Sequence, residues 1–442
     1  MREMKDSGNK WIGIIPYGWS IDRFKYCTVL YTGNSIKDER KNDYEDASFA
    51  KPYISSKDIN RLFSTINYEN GLYIKNNDYS FKVARKNDIL MCIEGGSAGK
   101  KKAMLNQDVC FVNKLCCFHS NYKVEHKFLF YYLSNPAYED EFNYNITGMI
   151  GGVSVSKLGD LNIAYPEIDE QKRIATYLDG QCKKIDEIMA DIQRQIDTLE
   201  DYKKSVISEV VTKGLDHDTT MKDSGVSHID SIPYHWKTLK LKYASTLKGR
   251  IGWQGLRTEE YRDEGPYLVT GTDFNKGYIN WSSCVHISKE RFEQDKNIQI
   301  QENDLLITKD GTIGKIAMAK ECPAEVSLNS GVFIVRNNRK YRYIDKFFYY
   351  IILSKQFSLW FELAQHGNST IKHLTQENFY EFTFAYPPIA EQAQIVDFLD
   401  DKCGRVDSII EDKKAQLEAI ENYKKSLIYE YVTGKKEVPE NE

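Results

Sequence analysis

The fold is decided by a stretch that occurs twice, as AYPEIDEQKRIATYLDG at residues 164–180 and as AYPPIAEQAQIVDFLDD at residues 385–401. The two copies keep a single offset of 221 residues, and the match continues without a gap to Thr212 and Thr433. Matches at one fixed offset over such a length indicate an internal duplication, which organises the rest of the chain.

The duplicated stretch is predicted to form a long helix in each copy. Its apolar residues fall at seven-residue spacing, at Leu178, Ile185, Ile192, Leu199 and Val206 in the first copy. The second copy has Leu399, Val406, Ile420 and Leu427 in the same frame, which Lys413 interrupts. The intervening apolar positions are assigned to Ile188, Tyr202, Ile409 and Tyr423, and the stripe of the first copy is widened by Met189, Ile196 and Val210. A stripe of this period flanked by charge is typical of a coiled coil. An amphipathic helix on a globular core is the alternative, although such helices rarely sustain a heptad stripe for so long.

The composition favours a folded protein with more than one domain. The 442 residues are too many for one compact core, and 41% of them are hydrophobic. No apolar run is long enough for a bilayer, and the first residues lack the apolar stretch of a signal peptide, so we expect a cytoplasmic protein. Nine cysteines show no CxxC pair, which favours reduced, buried thiols. The net charge of −4 does not exclude nucleic acid, because binding depends on where the basic residues lie.

A short leader is duplicated as well, since Met4–Gly8 returns as Met221–Gly225. Each module therefore contains a leader, a variable region and a long helix. The predicted boundaries are 1–163 for the leader and first variable region, 164–213 for the first helix, 214–236 for the linker and repeated leader, 237–384 for the second variable region, 385–434 for the second helix and 435–442 for an acidic tail.

The two variable regions share a glycine-rich turn that follows a short apolar run. The turn is Glu94–Lys100 in the first region and Lys309–Lys315 in the second, and a β-rich run follows the second turn, which predicts a hairpin. An aromatic helix comes next in each region, at residues 128–134 and 348–354. We expect two α+β domains with mixed, curved sheets.

No catalytic constellation is convincing in this sequence. The glycine turns end in lysine but lack the spacing and the following serine or threonine of a phosphate-binding loop. Asn135-Pro136-Ala137-Tyr138 is one residue from the Asn-Pro-Pro-Tyr motif of amino-methyltransferases, but no glycine-rich S-adenosylmethionine loop accompanies it. Asn135-Pro136 is better explained as the end of the preceding helix. We therefore predict no catalytic, metal-binding or cofactor-binding residue.

The loops of both variable regions carry side chains that suit nucleic-acid binding. Arginine reads guanine, glutamine reads adenine and lysine contacts phosphate. The candidates in the first region are Ser35, Lys37, Arg40, Lys41, Gly96, Ser97, Lys100, Lys101, Asn113, Gly151 and Ser154. Those in the second are Arg250, Trp253, Gln254, Arg257, Lys309, Thr312, Lys315, Asn329, Asn368 and Ser369. The competing interpretation is a solvated loop, with Trp253 folded back onto the core.

Nearly the whole chain resembles the specificity subunit of a Type I restriction–modification system. The resemblance is carried by the segments Ile15–Trp19, Ile232–Trp236, Tyr165–Gln171 and Tyr386–Gln392, and by Gly249–Trp253 and Lys309–Lys315 in the second region. The first turn departs from the pattern, because it lacks the basic residue that the second has at Lys309. The resemblance therefore gives no basis for assigning the contact of Lys309 to the first region.

The resemblance implies a non-catalytic subunit whose two variable regions are target-recognition domains for double-stranded DNA. Its implied partners are two methyltransferase subunits and the restriction and translocase subunits, with no membrane. S-adenosylmethionine, ATP and Mg²⁺ are expected in those partners and not in this chain.

The duplication also predicts an arrangement. The linker at residues 213–227 is short and polar. If the two helices pair antiparallel, as we expect, a recognition domain lies at each end, with an approximate two-fold axis between them. Two readers related in this way address a bipartite target with unread base pairs between its halves. The leader repeat further predicts that the N- and C-terminal segments lie close together.

Two other classes of function stay open. One is a structural scaffold or adhesin that uses the coiled coil as a spacer and shows no sequence-specific DNA binding. The other is an atypical nuclease or methyltransferase, which would turn over DNA without partner subunits.

Overall fold

The computed structural model describes residues 2–148, 151–250, 256, 258–338, 341–364 and 373–439. The chain divides into two units, Met1–Arg194 with Lys414–Glu442 and Gln195–Lys413. Each unit contains a leader hairpin, an α+β domain and part of both long helices. No helix among the described residues is long and apolar enough to cross a membrane.

The first unit is built mainly from short strands. Its strands are β1 Met4–Asp6, β2 Ile14–Pro16, β3 Ser20–Arg23, β4 Thr28–Thr32, β5 Ala50–Ile54, β6 Tyr73–Lys75, β7 Val83–Ala84, β8 Ile89–Cys92, β9 Lys102–Met104, β10 Val109–Phe111, β11 Leu115–Ser120 and β12 Asn162–Tyr165. Its helices are α1 Phe24–Cys27, α2 His126–Leu133, α3 Pro136–Tyr144, α4 Val155–Asp160 and the long α5 Ile168–Lys213, which continues into the second unit, with a 3₁₀ helix at Asp38–Tyr44.

The second unit repeats this pattern with additional elements. Its strands are β13 Met221–Val226, β14 Ile229–Pro233, β15 Lys237–Lys240, β16 Ser245–Gly249, β17 Arg262–Val269, β18 Phe274–Asn275, β19 Tyr278–Ile279, β20 Val285–His286, β21 Leu305–Thr308, β22 Ile316–Met318, β23 Val326–Leu328, β24 Val332–Asn337 and β25 Thr383–Tyr386. Its helices are α6 Leu241–Ala244, α7 Lys289–Glu293, α8 Asp345–Leu353, α9 Lys355–Ala364, α10 Gln376–Tyr380 and the long α11 Ile389–Val432, which ends in the first unit. Short 3₁₀ helices lie at Thr258–Glu260, Trp281–Ser283 and Lys296–Ile298.

The sheets are mixed, as predicted. The first unit has an antiparallel sheet in the order β4-β11-β8-β9 and a second sheet, β6-β5-β10-β7, in which β10 is parallel to β5 and antiparallel to β7. The second unit has the six-stranded order β16-β24-β21-β22-β19-β18 and the three-stranded order β20-β17-β23. The α+β class is therefore confirmed for both units.

The central strand of each domain separates two cores. Side chains alternate between the faces of a strand, so Ile89 and Met91 of β8 join one buried cluster while Leu90 and Cys92 join another. In the second unit Leu305 of β21 joins a buried cluster in the same way as Ile89 does in the first unit. Strands β8 and β21 are both buried on their two faces, which explains why apolar residues predominate in both.

A buried glutamine anchors the start of each long helix. Gln171 is fully buried, and its Oε1 accepts a hydrogen bond from the Glu125 backbone N–H (2.8 Å) while its Nε2 donates to the Pro166 carbonyl (2.9 Å). Gln392 repeats both bonds, with the Ile344 N–H and the Pro387 carbonyl at 2.9 Å each. A buried amide with both ends satisfied fixes the helix to its domain.

The two long helices run antiparallel within each unit. In the first unit Lys424 Nζ of α11 lies 2.5 Å from Asp186 Oδ1 of α5. In the second unit Lys203 Nζ of α5 lies 2.6 Å from Asp407 Oδ2 of α11. The tyrosine rings of Tyr177 and Tyr431 also meet in the first unit, 4.7 Å apart.

The predicted positions within the helical stripe were partly wrong. Ile188, Tyr202, Ile409 and Tyr423 are between 44% and 61% exposed. The inner positions are filled by residues four after each main apolar position, which are Cys182, Met189 and Ile196 in α5 and Cys403 and Ile410 in α11. Steps of three and four residues both satisfy a heptad, and the four-residue step places these apolar side chains in the inner row, which Lys203 and Lys424 interrupt.

The leader packs against the far end of a long helix in both units. In the first unit a Cβ on Gly434 would lie 2.5 Å from the Pro16 ring, and Lys435 Nζ donates to the Ile12 carbonyl at 3.1 Å. In the second unit Gly214 lies similarly against Trp236. The predicted proximity of the N- and C-terminal segments is therefore confirmed within the first unit.

The Asp186–Lys424 pair should contribute measurably to stability, because the Lys424 side chain is only 17% exposed. We expect Asp186→Asn to cost about 1–2 kcal/mol, since it leaves a largely buried ammonium without its counter-ion. Chemical denaturation monitored by circular dichroism measures this. Asp191→Asn is the control, because the Asp191–Arg194 pair is solvent-exposed. An equal loss in both variants would contradict this account.

Candidate nucleic-acid interface

In the first unit three chain segments emerge at one edge of the β4-β11-β8-β9 sheet. The register pairs Thr32 with Cys116 and Cys92 with Leu115, so the ends of β4 and β8 and the start of β11 lie side by side. The chain leaving β8 forms the glycine-rich turn, and the chain entering β11 carries Asn113, which is exposed. Sheet topology thus brings together segments that are distant in sequence.

Glycine is required in the turn of the first unit. Gly95 and Gly99 have φ values of 78° and 71°, and a Cβ on Gly99 would lie 2.7 Å from the Phe142 ring. The later loop closes over this turn, because the Gly95 N–H donates to the Gly151 carbonyl (2.8 Å) and the Val153 N–H donates to the Ile93 carbonyl (3.0 Å). The predicted residues Gly96, Ser97 and Gly151 are therefore neighbours.

The other predicted contact residues of the first unit differ in exposure, and some of them make hydrogen bonds or ion pairs within the unit. Lys100 is exposed, whereas Lys101 is half-buried and its Nζ donates to the Ser56 carbonyl at 2.8 Å. Ser154 is exposed, and its Oγ caps α4 by accepting from the Lys157 N–H. Arg40 pairs with Asp43, its guanidinium 3.1 Å from that carboxylate.

Arg40 and Lys41 lie on a 3₁₀ helix beside a different small core. Tyr44 at the end of that helix packs against Phe81, with ring centroids 5.7 Å apart. Ser35 and Lys37, just before this helix, are exposed. All four of these candidates follow β4 in the chain. The hydrogen bond that holds Gly151 against the glycine turn does not involve them.

The second unit repeats the sheet edge. Gly249 pairs with Phe333 and Thr308 with Val332, so the ends of β16 and β21 lie beside the start of β24. The Lys309 N–H donates to the Gly331 carbonyl at 2.9 Å. The Leu374 N–H donates to the Lys309 carbonyl at 3.0 Å, as Val153 does to Ile93.

The glycine turn of the second unit is closed by a threonine. Thr308 Oγ1 donates to the Thr312 carbonyl (2.5 Å) and accepts from the Lys315 N–H (3.0 Å). Thr312 and Lys315 are exposed, as a contact residue requires. Lys309 is half-buried, with its Nζ 4.9 Å from the centre of the Phe333 ring, and the half-buried Asn329 accepts a hydrogen bond from the Ser330 N–H.

The prediction needs correction at Arg250. This residue is only 1% exposed, and its guanidinium donates to the Leu328 carbonyl and the Ser327 hydroxyl, both at 2.9 Å. Burial lowers the pKa of the guanidinium. Acceptors on β23 hold this side chain inside the unit, so it is not presented to a duplex. Trp253, Gln254, Arg257, Asn368 and Ser369 lie outside the described residues.

Three residues outside the predicted set also lie at these sheet edges, namely an acidic residue on each turn and a histidine in the second unit. Glu94 and Asp310 are exposed and immediately precede the first glycine of their turns. Nδ1 of His373 lies 2.7 Å from Asp310 Oδ1, at a hollow of about 410 Å³ that Lys309 and Gln376 also line. The matching acid before both glycine turns was the signal that could have identified them.

Asn135 has a structural role, as the sequence suggested. It is fully buried, and its side chain caps α3 by accepting from the Tyr138 N–H at 3.1 Å. Within the described residues, no group of three or more histidine, cysteine, aspartate or glutamate side chains is placed to hold a metal ion.

The chain matches one protein family twice. The family is described as the Type I restriction modification DNA specificity domain, and its model matches residues 27–198 and 246–419. These two matches cover the two α+β domains and most of both long helices.

Individual relatives agree with the family match. The chain is 26% identical to a putative type I restriction enzyme MjaX specificity subunit of Methanocaldococcus jannaschii, with 71% of this chain and 68% of that relative covered. It is 24% identical to the type I restriction enzyme EcoBI specificity subunit of Escherichia coli, with 75% and 69% covered. A chain from a solved structure of the type I R-M system has a TM-score of 0.60 at 17% identity, covering 96% of this chain and 99% of that one, which supports the fold.

The buried position of Arg250 yields a stability prediction. Arg250→Met should destabilise the second unit by about 1–3 kcal/mol, because the Ser327 hydroxyl and Leu328 carbonyl lose their donors in a buried place. Denaturant unfolding of the purified chain measures this loss. Lys248→Met, at an exposed position of β16 two residues earlier, is the matched control and should change stability little. A destabilisation no larger than that of the control would contradict the buried placement.

Proposed function

We propose a mode of action for this chain from the premise that it belongs to the Type I restriction modification DNA specificity family and contains two of its domains. The chain is a specificity subunit with two recognition domains, and each domain reads one half of a double-stranded DNA target. The repeated sheet edge carries this proposal, because both units assemble the same glycine turn, the same strand connection and the same closing loop there.

The two kinds of side chain at this edge suit two kinds of DNA contact. Exposed lysines, Lys37 and Lys100 in the first unit and Lys315 in the second, suit phosphate oxygens, which position the duplex. The turns and closing loops provide the polar groups that suit base edges. These lysine contacts set the affinity and its salt dependence, whereas the other polar groups of the turns and closing loops set the sequence preference.

Catalysis belongs to partner subunits in this proposal. Two methyltransferase subunits supply S-adenosylmethionine chemistry on adenine, and restriction and translocase subunits supply ATP- and Mg²⁺-dependent cleavage. The helix-capping role of Asn135 disfavours a methyltransferase site in this chain, because its side chain is used within the fold.

The exposed apolar residues of the long helices suit partner docking. Ile188 and Tyr423 in the first unit are equivalent by duplication to Ile409 and Tyr202 in the second, and all four are exposed. Since Asp186 meets Lys424, Ile188 and Tyr423 lie at the same level of the helix pair. Large exposed apolar side chains mark protein contacts. A surface present once in each unit fits a partner that binds twice, as two methyltransferase subunits would.

The proposed function is tested by mapping methylated adenines in DNA from cells that express the chain with its methyltransferase. We expect a split motif with a fixed unread spacer. Replacing residues 309–315 with the turn of a relative of different specificity should change one half of that motif only, because the turn belongs to one unit.

A deletion of the chain is the control, and it should abolish methylation at the split motif. Methylation that persists without the chain, or a turn exchange that alters both halves, would contradict the proposal. Binding without sequence preference would favour the scaffold alternative, and DNA turnover by the isolated chain would favour the enzyme alternative.

The docking proposal predicts a change of stoichiometry. Ile188→Asp should remove one methyltransferase subunit and Ile409→Asp the other, because each places a charge in an apolar contact of one unit. Native mass spectrometry of the complex measures the number of bound subunits. Lys183→Asp, at an exposed position of the same helix outside the apolar row, should leave two bound. Two bound subunits in both isoleucine variants would contradict this docking surface.

A further inference from the structure

The two candidate interfaces share an acidic residue at one structural position. Glu94 and Asp310 both follow the central strand of their domain and both precede the first glycine of the turn. Those glycines, Gly95 and Gly311, have φ values of 78° and 68°, so the backbone turns in the same way after each acid. Both acidic residues are exposed.

The neighbours of the two carboxylates differ. The Leu374 N–H bonds the Lys309 carbonyl just before Asp310, and the Val153 N–H bonds the Ile93 carbonyl just before Glu94. The residue before Leu374 is His373, whose Nδ1 lies 2.7 Å from Asp310 Oδ1. The residue before Val153 is Gly152, which has no side chain to offer. Asp310 is therefore held by a neighbour that Glu94 lacks.

A carboxylate on a DNA-binding surface acts as a selective group. Phosphates repel it, so it adds nothing to general affinity. In the major groove cytosine and adenine present an amine donor, whereas guanine and thymine present acceptors at the corresponding position. Adenine also places its N7 acceptor beside its amine, so cytosine is the base that a carboxylate accepts from best. The other bases leave the carboxylate desolvated and unpaired, which penalises them.

We propose that Glu94 and Asp310 are base-reading residues, each accepting a hydrogen bond from the amine of a cytosine, one in each half of the target. His373 is a positioning residue that orients the Asp310 carboxylate through Oδ1. This inference rests on the proposed function, since it names the base that the candidate interface recognises.

The test uses the full chain assembled with its methyltransferase subunits. Dissociation constants are measured for duplexes in which every position of both half-motifs is varied in turn. Asp310→Asn keeps the shape of the side chain but removes its charge, so one position of one half-motif should lose preference for cytosine by about tenfold. Glu94→Gln should do the same at one position of the other half-motif. Each variant should leave the opposite half-motif unchanged.

His373 is tested by comparing two substitutions. His373→Ala should relax the same position as Asp310→Asn, because the carboxylate loses its fixed orientation. His373→Gln should retain most of the preference, since its amide N–H can still donate to the carboxylate. If His373 only stabilised the loop, each variant would change its affinity for all duplexes by the same factor.

Lys315→Gln serves as the control for a phosphate contact and should weaken binding to all duplexes alike. The inference is overturned if Asp310→Asn and Glu94→Gln keep the native preference at every position, or change the affinity for all duplexes equally. In that case the native complex still discriminates between sequences, and the proposed function stands. A native complex without any sequence preference would instead overturn the proposed function and this inference with it.

Discussion

The structure depends on a reciprocal pair of ion contacts between the duplicated helices. Asp186 and Lys203 are 17 residues apart on α5, and their duplicates Asp407 and Lys424 have the same spacing on α11. Lys424 meets Asp186 in the first unit and Lys203 meets Asp407 in the second. One antiparallel register satisfies both pairs. A shifted register would leave two lysines of the inner row facing apolar side chains, which is costly.

The same duplication places two copies of one sheet edge in the chain and lets their side chains differ. The backbone bonds that close the glycine turn are repeated, as are the glycines with positive φ. The side chains around them are not repeated. A buried arginine, Arg250, occupies the second unit at the position that the strand registers give to Gly33 in the first, and His373 occupies the position of Gly152. A constant backbone with variable side chains allows each unit to recognise its own half of the target.

Much of this fold could be predicted from the sequence, because duplication and heptad spacing are local patterns. The long helices, the α+β domains and the meeting of the terminal segments all followed from repeated residues such as Trp19, Gln171 and Gln392. The inner helical row did not, since Ile188 and Met189 both fit a heptad and only packing against α11 decides between them.

The candidate site was harder to predict than the fold. Arg250 looked like an exposed base reader, but the acceptors that bury it lie on a strand about 77 residues away in sequence. The contact between Asp310 and His373 spans 63 residues and has no local signature. Such contacts depend on sheet register and loop closure, which a single sequence does not reveal.

The central claim is that each unit reads half of the target independently. The most direct measurement replaces residues 237–384 with a second copy of residues 20–163 and maps adenine methylation directed by the resulting chain. This account predicts an inverted repeat of one half-motif, because both ends would then carry the same reader. Methylation at the original two-part motif, or at a single contiguous site, would contradict it.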